Sequence, residues 1–141
     1  MAKQRFEKLF STEEADELIP RLEILVRKLQ MQANSLRERV KQLADADSSL
    51  LGMELPDIVD LHPELRTFTT SMSDAAGQIE ALGCFLKDID QGLVDFPCDT
   101  GEEVVLLCWQ FGEPRVLAWH TVDSGFSERK PLPGARKTYL N

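Results

Sequence analysis

The chain has few of the features that announce a function. Three cysteines stand among 141 residues, at 84, 98 and 108, with no CxxC spacing. An odd, unspaced set argues against a disulfide framework and for small core residues in a reducing compartment. No apolar run is long enough to span a membrane. Met1 to Phe10 alternates charge and hydrophobe, unlike a signal peptide, so a cytoplasmic protein is expected. P-loop, GxGxxG, GxSxG and HExxH motifs are absent, which removes the most legible routes to phosphate, dinucleotide, serine-hydrolase and zinc-protease chemistry. Basic residues are not in excess either. With a net charge of −8 and two tryptophans not surrounded by Lys and Arg, the chain is a poor nucleic-acid binder, and neither a nucleic acid nor a membrane is an expected partner.

What is present is enough to fold. A 43 % apolar content can fill a core in one domain of ordinary size, so residues 1–141 are read as a single domain without metal or disulfide staples. The charge is unevenly placed. Residues 51–100 hold ten acidic and two basic side chains, whereas residues 21–41 carry six basic and two acidic ones. A basic helix facing an acidic one is the simple reading, although each exposed pair contributes little.

The periodicity predicts α+β architecture: a long antiparallel helical hairpin over residues 11–91, packed on a small antiparallel sheet in residues 92–132, with an irregular tail over 133–141. Ser11-Thr12-Glu13-Glu14 reads as a capping box. Leu22, Leu25, Leu29, Leu36 and Leu43 follow at heptad positions, with a kink or restart expected at Pro20. Leu65, Phe68, Met72, Ala75, Ile79, Leu82, Leu86 and Ile89 step by threes and fours, predicting a second helix of similar length that stops at Gly92. The apolar 45–62 connection should contain a short helix, continue the first, or form an exposed contact surface.

After Gly92 the period becomes two. Three strands are expected, over Leu93–Phe96, Glu103–Gln110 and Arg115–Thr121, with a fourth from Arg5–Phe10 as an option. A two-residue turn at Gly112-Glu113 would pair residues summing to about 225 across the hairpin. Both hairpin faces are apolar. Only one can rest on the helices, so the C-terminal tail, another subunit or a ligand must cover the other.

Three ordered segments carry a resemblance. Phe10-Ser11-Thr12-Glu13-Glu14-Ala15-Asp16 with Leu18-Ile19-Pro20 is the first, and Gly92-Leu93-Val94-Asp95-Phe96-Pro97 the second. The third comprises Leu107-Cys108-Trp109, Gly112-Glu113-Pro114, Trp119-His120, Asp123, Gly125-Phe126, Arg129 and Pro131-Leu132. Together they resemble the uncharacterised bacterial family known as domain of unknown function 2203. The resemblance implies a scaffold shared among bacteria and supplies no activity.

The polar residues of those segments, Asp95, Glu113, His120, Asp123 and Arg129, form the candidate ligand site. His120 and Asp123, with one more carboxylate, could hold a divalent metal or run acid–base chemistry. In the structural alternative Asp123 and Gly125 make a turn, Glu113 sits in the hairpin loop, Arg129 pairs with Asp95 or Asp123, and His120 is bonded at the sheet rim. A zinc set of Cys98, Cys108 and His120 is disfavoured, because the expected pairing points Cys108 and His120 to opposite faces. The leading expectation is a non-enzymatic interaction or assembly module, forming a homo-oligomer or taking a protein partner. A metal- or small-ligand-binding protein, with or without enzymatic activity, is the rival.

Overall fold

The computed structural model describes residues 6–133. Its elements are α1 (Thr12–Ala46), α2 (Leu55–Leu61), α3 (Arg66–Ala81), β1 (Phe85–Asp88), β2 (Leu93–Asp99), β3 (Val104–Gln110), β4 (Ala118–Thr121) and β5 (Lys130–Pro131). The α+β class holds, but the sheet has five antiparallel strands in the order β1-β2-β3-β4-β5, not three.

The capping box starts α1 as read: the Glu14 N–H donates to Ser11 Oγ at 3.1 Å, and the Ser11 N–H donates to the Glu14 carboxylate at 2.9 Å. From there α1 is one 35-residue helix that passes through Pro20 without restarting. Pro20 is exposed, so its ring faces solvent, and the fully buried stripe of Ala15, Leu22, Val26 and Leu29 continues past it. That stripe packs with Ala75 and Ile79 of α3, while Leu36, further along α1, packs with Leu65 just before α3. The two helices are therefore antiparallel.

They are not of equal length. α1 rises roughly 52 Å and α3 roughly 24 Å at 1.5 Å per residue. The distal half of α1 is covered instead by the 45–62 connection, which contains the short helix α2. Leu50 and Ile58 join Leu36 and Leu65 in a second, smaller core there.

The expected second helix ends early, at Ala81. Gly83, at φ +99°, reverses the chain against Lys8 and Phe10, and the next residues become β1. Leu82, Leu86 and Ile89 still pack on the main core. A bulge between Leu86 and Asp88 resets the strand's alternation, so two positions three apart can both face inward. Three-residue spacing therefore mimicked a helical seam. The N-terminal option for the extra strand is not realised within the described residues: Phe10 donates one backbone hydrogen bond to Pro97 (2.7 Å) but Phe6–Phe10 form no strand, and residues 1–5 lie outside the description.

The β3–β4 pairing also differs from expectation. Leu106 pairs with His120 and Cys108 with Ala118, so partners sum to 226. The cause lies in residues 111–117. The Glu113 carboxylate accepts from the Gln110 N–H at 2.7 Å, the Glu113 carbonyl accepts from the Trp109 indole at 2.9 Å, and Asp16 of α1 accepts from the Val116 N–H at 2.8 Å. These bonds hold the segment as a wide connection, and β4 begins only at Ala118.

Gly92 is a turn residue between β1 and β2, not a helix stop. It has φ +66°, and a Cβ there would collide with the Cβ of Phe111 and press on Val26. Gly92→Ala is expected to destabilise the fold by about 2–4 kcal/mol, combining left-handed strain with overpacking, as read from the urea midpoint at unchanged slope.

Candidate functional site

Pairing fixes which side chains share a face. Val94, Phe96, Leu107 and Trp109 lie on the helix side of the sheet, in the main core, and Trp119 packs against them. Asp95, Leu106, Cys108, Ala118 and His120 lie on the other. Asp95 is the direct cross-strand partner of Cys108. The 226 register puts His120 diagonally beside Cys108, on the same face. The sequence-based expectation of opposite faces is therefore corrected.

Asp95 and His120 are the two buried polar residues of the described chain, at 2 % and 3 % exposure. His120 Nε2 lies 3.0 Å from Asp95 Oδ2, and His120 Nδ1 lies 2.9 Å from the Thr121 carbonyl oxygen. A carbonyl oxygen only accepts, so Nδ1 carries a hydrogen. The Nε2–Oδ2 line then brings a ring nitrogen up to a carboxylate oxygen, and a proton must lie between them. The pair is thus held together by a shared proton and is neutral as a unit, which suits its burial.

Cys108 completes the group. Its sulfur, a nitrogen of His120 and an oxygen of Asp95 all lie within 4.8 Å of one another. Burial, followed by the charge of Asp95, pushes the Cys108 thiol up to about 12, so the sulfur keeps its proton. Burial likewise raises Cys84 to about 11. Nδ1 is held by the Thr121 carbonyl and Nε2 by the Asp95 carboxylate, so neither ring nitrogen is free to serve the thiol as a base. This is not a nucleophile–base arrangement, in which a ring nitrogen would accept from the thiol.

The remaining candidates lie elsewhere. Glu113 and Arg129 form their own half-buried pair, with Arg129 Nη2 at 2.9 and 3.1 Å from the two carboxylate oxygens and its guanidinium over the Phe126 ring. Arg129 thus pairs with Glu113, not with Asp95 or Asp123. Asp123 is exposed in the turn after β4 and does not join His120 in the Asp95–Cys108–His120 group. That turn is tied by the Thr121 N–H donating to Ser124 Oγ (3.0 Å) and the Ser124 N–H donating to the Thr121 carbonyl (3.1 Å).

The turn carries Val122 to Phe126 back over the second sheet face without sealing it. A cavity of about 210 Å³ remains. Leu93, Leu106, Val122 and Phe126 line it with apolar surface, Asp95, Cys108 and His120 form a polar patch of its wall, and Lys87 and Ser124 add polar groups. Cys108 is left out of the sequence-based site because the expected β3–β4 pairing puts it on the face away from His120, and its place opposite Asp95 needs the β2–β3 register. The available signal was Asp95 itself, a lone charge inside the apolar run Leu93–Phe96.

The fold and the site together define an α+β protein in which a helical hairpin supports a meander sheet, with a small polar-walled cavity on the sheet's other face. The chain belongs to the family described as "Uncharacterized conserved protein (DUF2203)", whose model matches residues 8–132. No curated protein and no solved structure matches it. No helix of the described residues is long and apolar enough to cross a membrane.

Removing one partner of the buried pair strands the other. Asp95→Ala and His120→Ala are each expected to cost about 3–5 kcal/mol, and the double variant markedly less than their sum. A double-mutant cycle by urea unfolding checks this; additive losses would show that the two side chains act independently.

Proposed function

We propose that this protein binds a small ligand in the cavity beside Asp95 and His120. The observation that carries the reading is the position of the buried pair. A structural ion pair is expected to be walled in by protein, whereas this one borders a cavity with apolar walls and a few convergent polar groups, the usual make-up of a binding site. At about 210 Å³ the space suits an ion or a molecule of few heavy atoms and is too small for a nucleotide or a peptide.

Amide shifts of metal-free, isotope-labelled chain test this, with butyrate and butyramide as probes for a site with apolar walls and a polar patch. Saturable shifts at Val122, Ser124 and Phe126 are expected, and Leu106→Trp, which fills the cavity, should abolish them. Shifts confined to other surfaces, or unaffected by Leu106→Trp, would refute the reading.

A second reading, assembly with another copy of the chain, is supported by a separate feature. An apolar groove lined by Ala33, Leu36, Val40 and Met53 runs along distal α1 up to Leu55 of α2, with Arg37, Lys41 and Asp45 at its edge. Beside it α2 exposes Leu55 and Leu61 between the acidic side chains Glu54, Asp57 and Asp60. The acidic, apolar α2 of one copy would set its apolar side chains on the groove and its carboxylates near Lys41 of another, and a two-fold arrangement would satisfy both at once. Sedimentation should then show a dimer that Leu55→Glu dissociates; a monomer at high concentration would exclude it.

A further inference from the structure

We propose that Asp95, Cys108 and His120 form a site for a zinc-class divalent metal, bound through a carboxylate oxygen, Sγ and Nε2, with a fourth position facing the cavity. The proposal rests on the ligand-site reading above and names the ligand.

Geometry comes first. The three side chains rise from three neighbouring strands, β2, β3 and β4, on one face, and their ligand atoms already lie within 4.8 Å of one another. Tetrahedral zinc, with bonds of about 2.0–2.3 Å, holds its ligand atoms about 3.3–3.8 Å apart. Nε2 and Oδ2 stand 3.0 Å apart and no separation in the group exceeds 4.8 Å, so small side-chain rotations on fixed strands suffice.

The histidine supplies an independent observation. His120 Nδ1 donates to the Thr121 carbonyl, which leaves Nε2 as the nitrogen turned toward Asp95. A metal-bound histidine is oriented in this way, with its second nitrogen donating to a backbone carbonyl or carboxylate. The line from Nε2 to Oδ2 already requires a positive centre between two electron-rich atoms.

Charge balance agrees. Without metal the group carries one proton on the Nε2–Oδ2 line and one on the Cys108 sulfur. A dication displaces both as free protons, and the buried group is neutral before and after. One thiolate, one imidazole and one carboxylate select zinc and similar borderline ions over magnesium or calcium, which prefer all-oxygen sites. Three protein ligands beside an open cavity leave room for a water or a small anion as the fourth.

The test uses full-length, untagged chain stripped with chelator and titrated with Co²⁺ as the spectroscopic probe. One equivalent should give a thiolate-to-cobalt charge-transfer band and the intense visible bands of four-coordinate cobalt, reversed by Zn²⁺. Cys108→Ser should remove the charge-transfer band and weaken binding by roughly 100-fold or more, whereas Cys98→Ser, with its thiol off this group, should leave both unchanged. X-ray absorption on the zinc-loaded wild type needs no variant, and should read one sulfur with nitrogen and oxygen neighbours. A chain that takes up no stoichiometric metal, a shell without sulfur, or a charge-transfer band that survives Cys108→Ser overturns the assignment. If butyrate and butyramide still shift Val122–Phe126 in a chain that takes no metal, the cavity reading stands and the metal alone is refuted; loss of both refutes both.

Discussion

The central strand β3 buries six side chains in succession, Val104 through Trp109, and the rest of the fold is arranged to satisfy that demand. Successive side chains of a strand point to opposite faces, so no single layer can cover them all. The long helix α1, with α3 beside it, takes one face and receives Leu107 and Trp109. The other face falls to the chain after β4, which turns at Thr121–Ser124 and carries Val122–Phe126 back across the sheet. That cover is thin, and the cavity is what it leaves.

Electrostatics decides what the cavity wall is made of. A lone carboxylate on a buried sheet face would be prohibitively costly, as would a lone imidazolium. Asp95 and His120 solve the problem jointly, by sharing a proton from the two strands that flank β3, with the Cys108 thiol of β3 beside them. The same neutrality that makes the group tolerable without a metal makes it ready to exchange protons for a cation. Glu113 and Arg129 show the contrasting use of charge. Their pair holds the wide β3–β4 connection in place, and its effect on the site is indirect: by delaying β4 it sets the register that brings His120 beside Cys108.

Local signals read well where the chemistry is local. The Ser11–Glu14 box starts α1 within three residues and needs nothing distant. The apolar stripe of α1 follows from spacing, and α2 realises one of the options that the apolar 45–62 connection leaves open. Spacing failed at Leu82, Leu86 and Ile89, because a glycine turn plus a bulged strand can present the same 3-4-3 pattern to a core as a helix does. It failed again at the hairpin, where the pairing was off by one. Asp16, a hundred residues away, bonds the Val116 N–H and helps hold the connection open, and nothing near Gly112 reports that. One slipped residue moved His120 from the face away from Cys108 to the face it shares with it.

The sequence by itself determined the ingredients: a long amphipathic helix with its cap, an apolar two-faced hairpin, an α+β class, and Asp95 and His120 as polar residues set in apolar runs. Tertiary structure alone decided how they combine. It split the five candidate residues, sending Glu113 and Arg129 to a structural pair and leaving Asp123 in solvent, and it brought in Cys108, whose sequence context is that of an ordinary core residue. The physical reason is that a site on a sheet is defined by cross-strand register. Register here depends on how the connection is held, by local bonds at Glu113 and by the bond from the Val116 N–H to Asp16 of a distant helix, which no window of neighbouring residues contains.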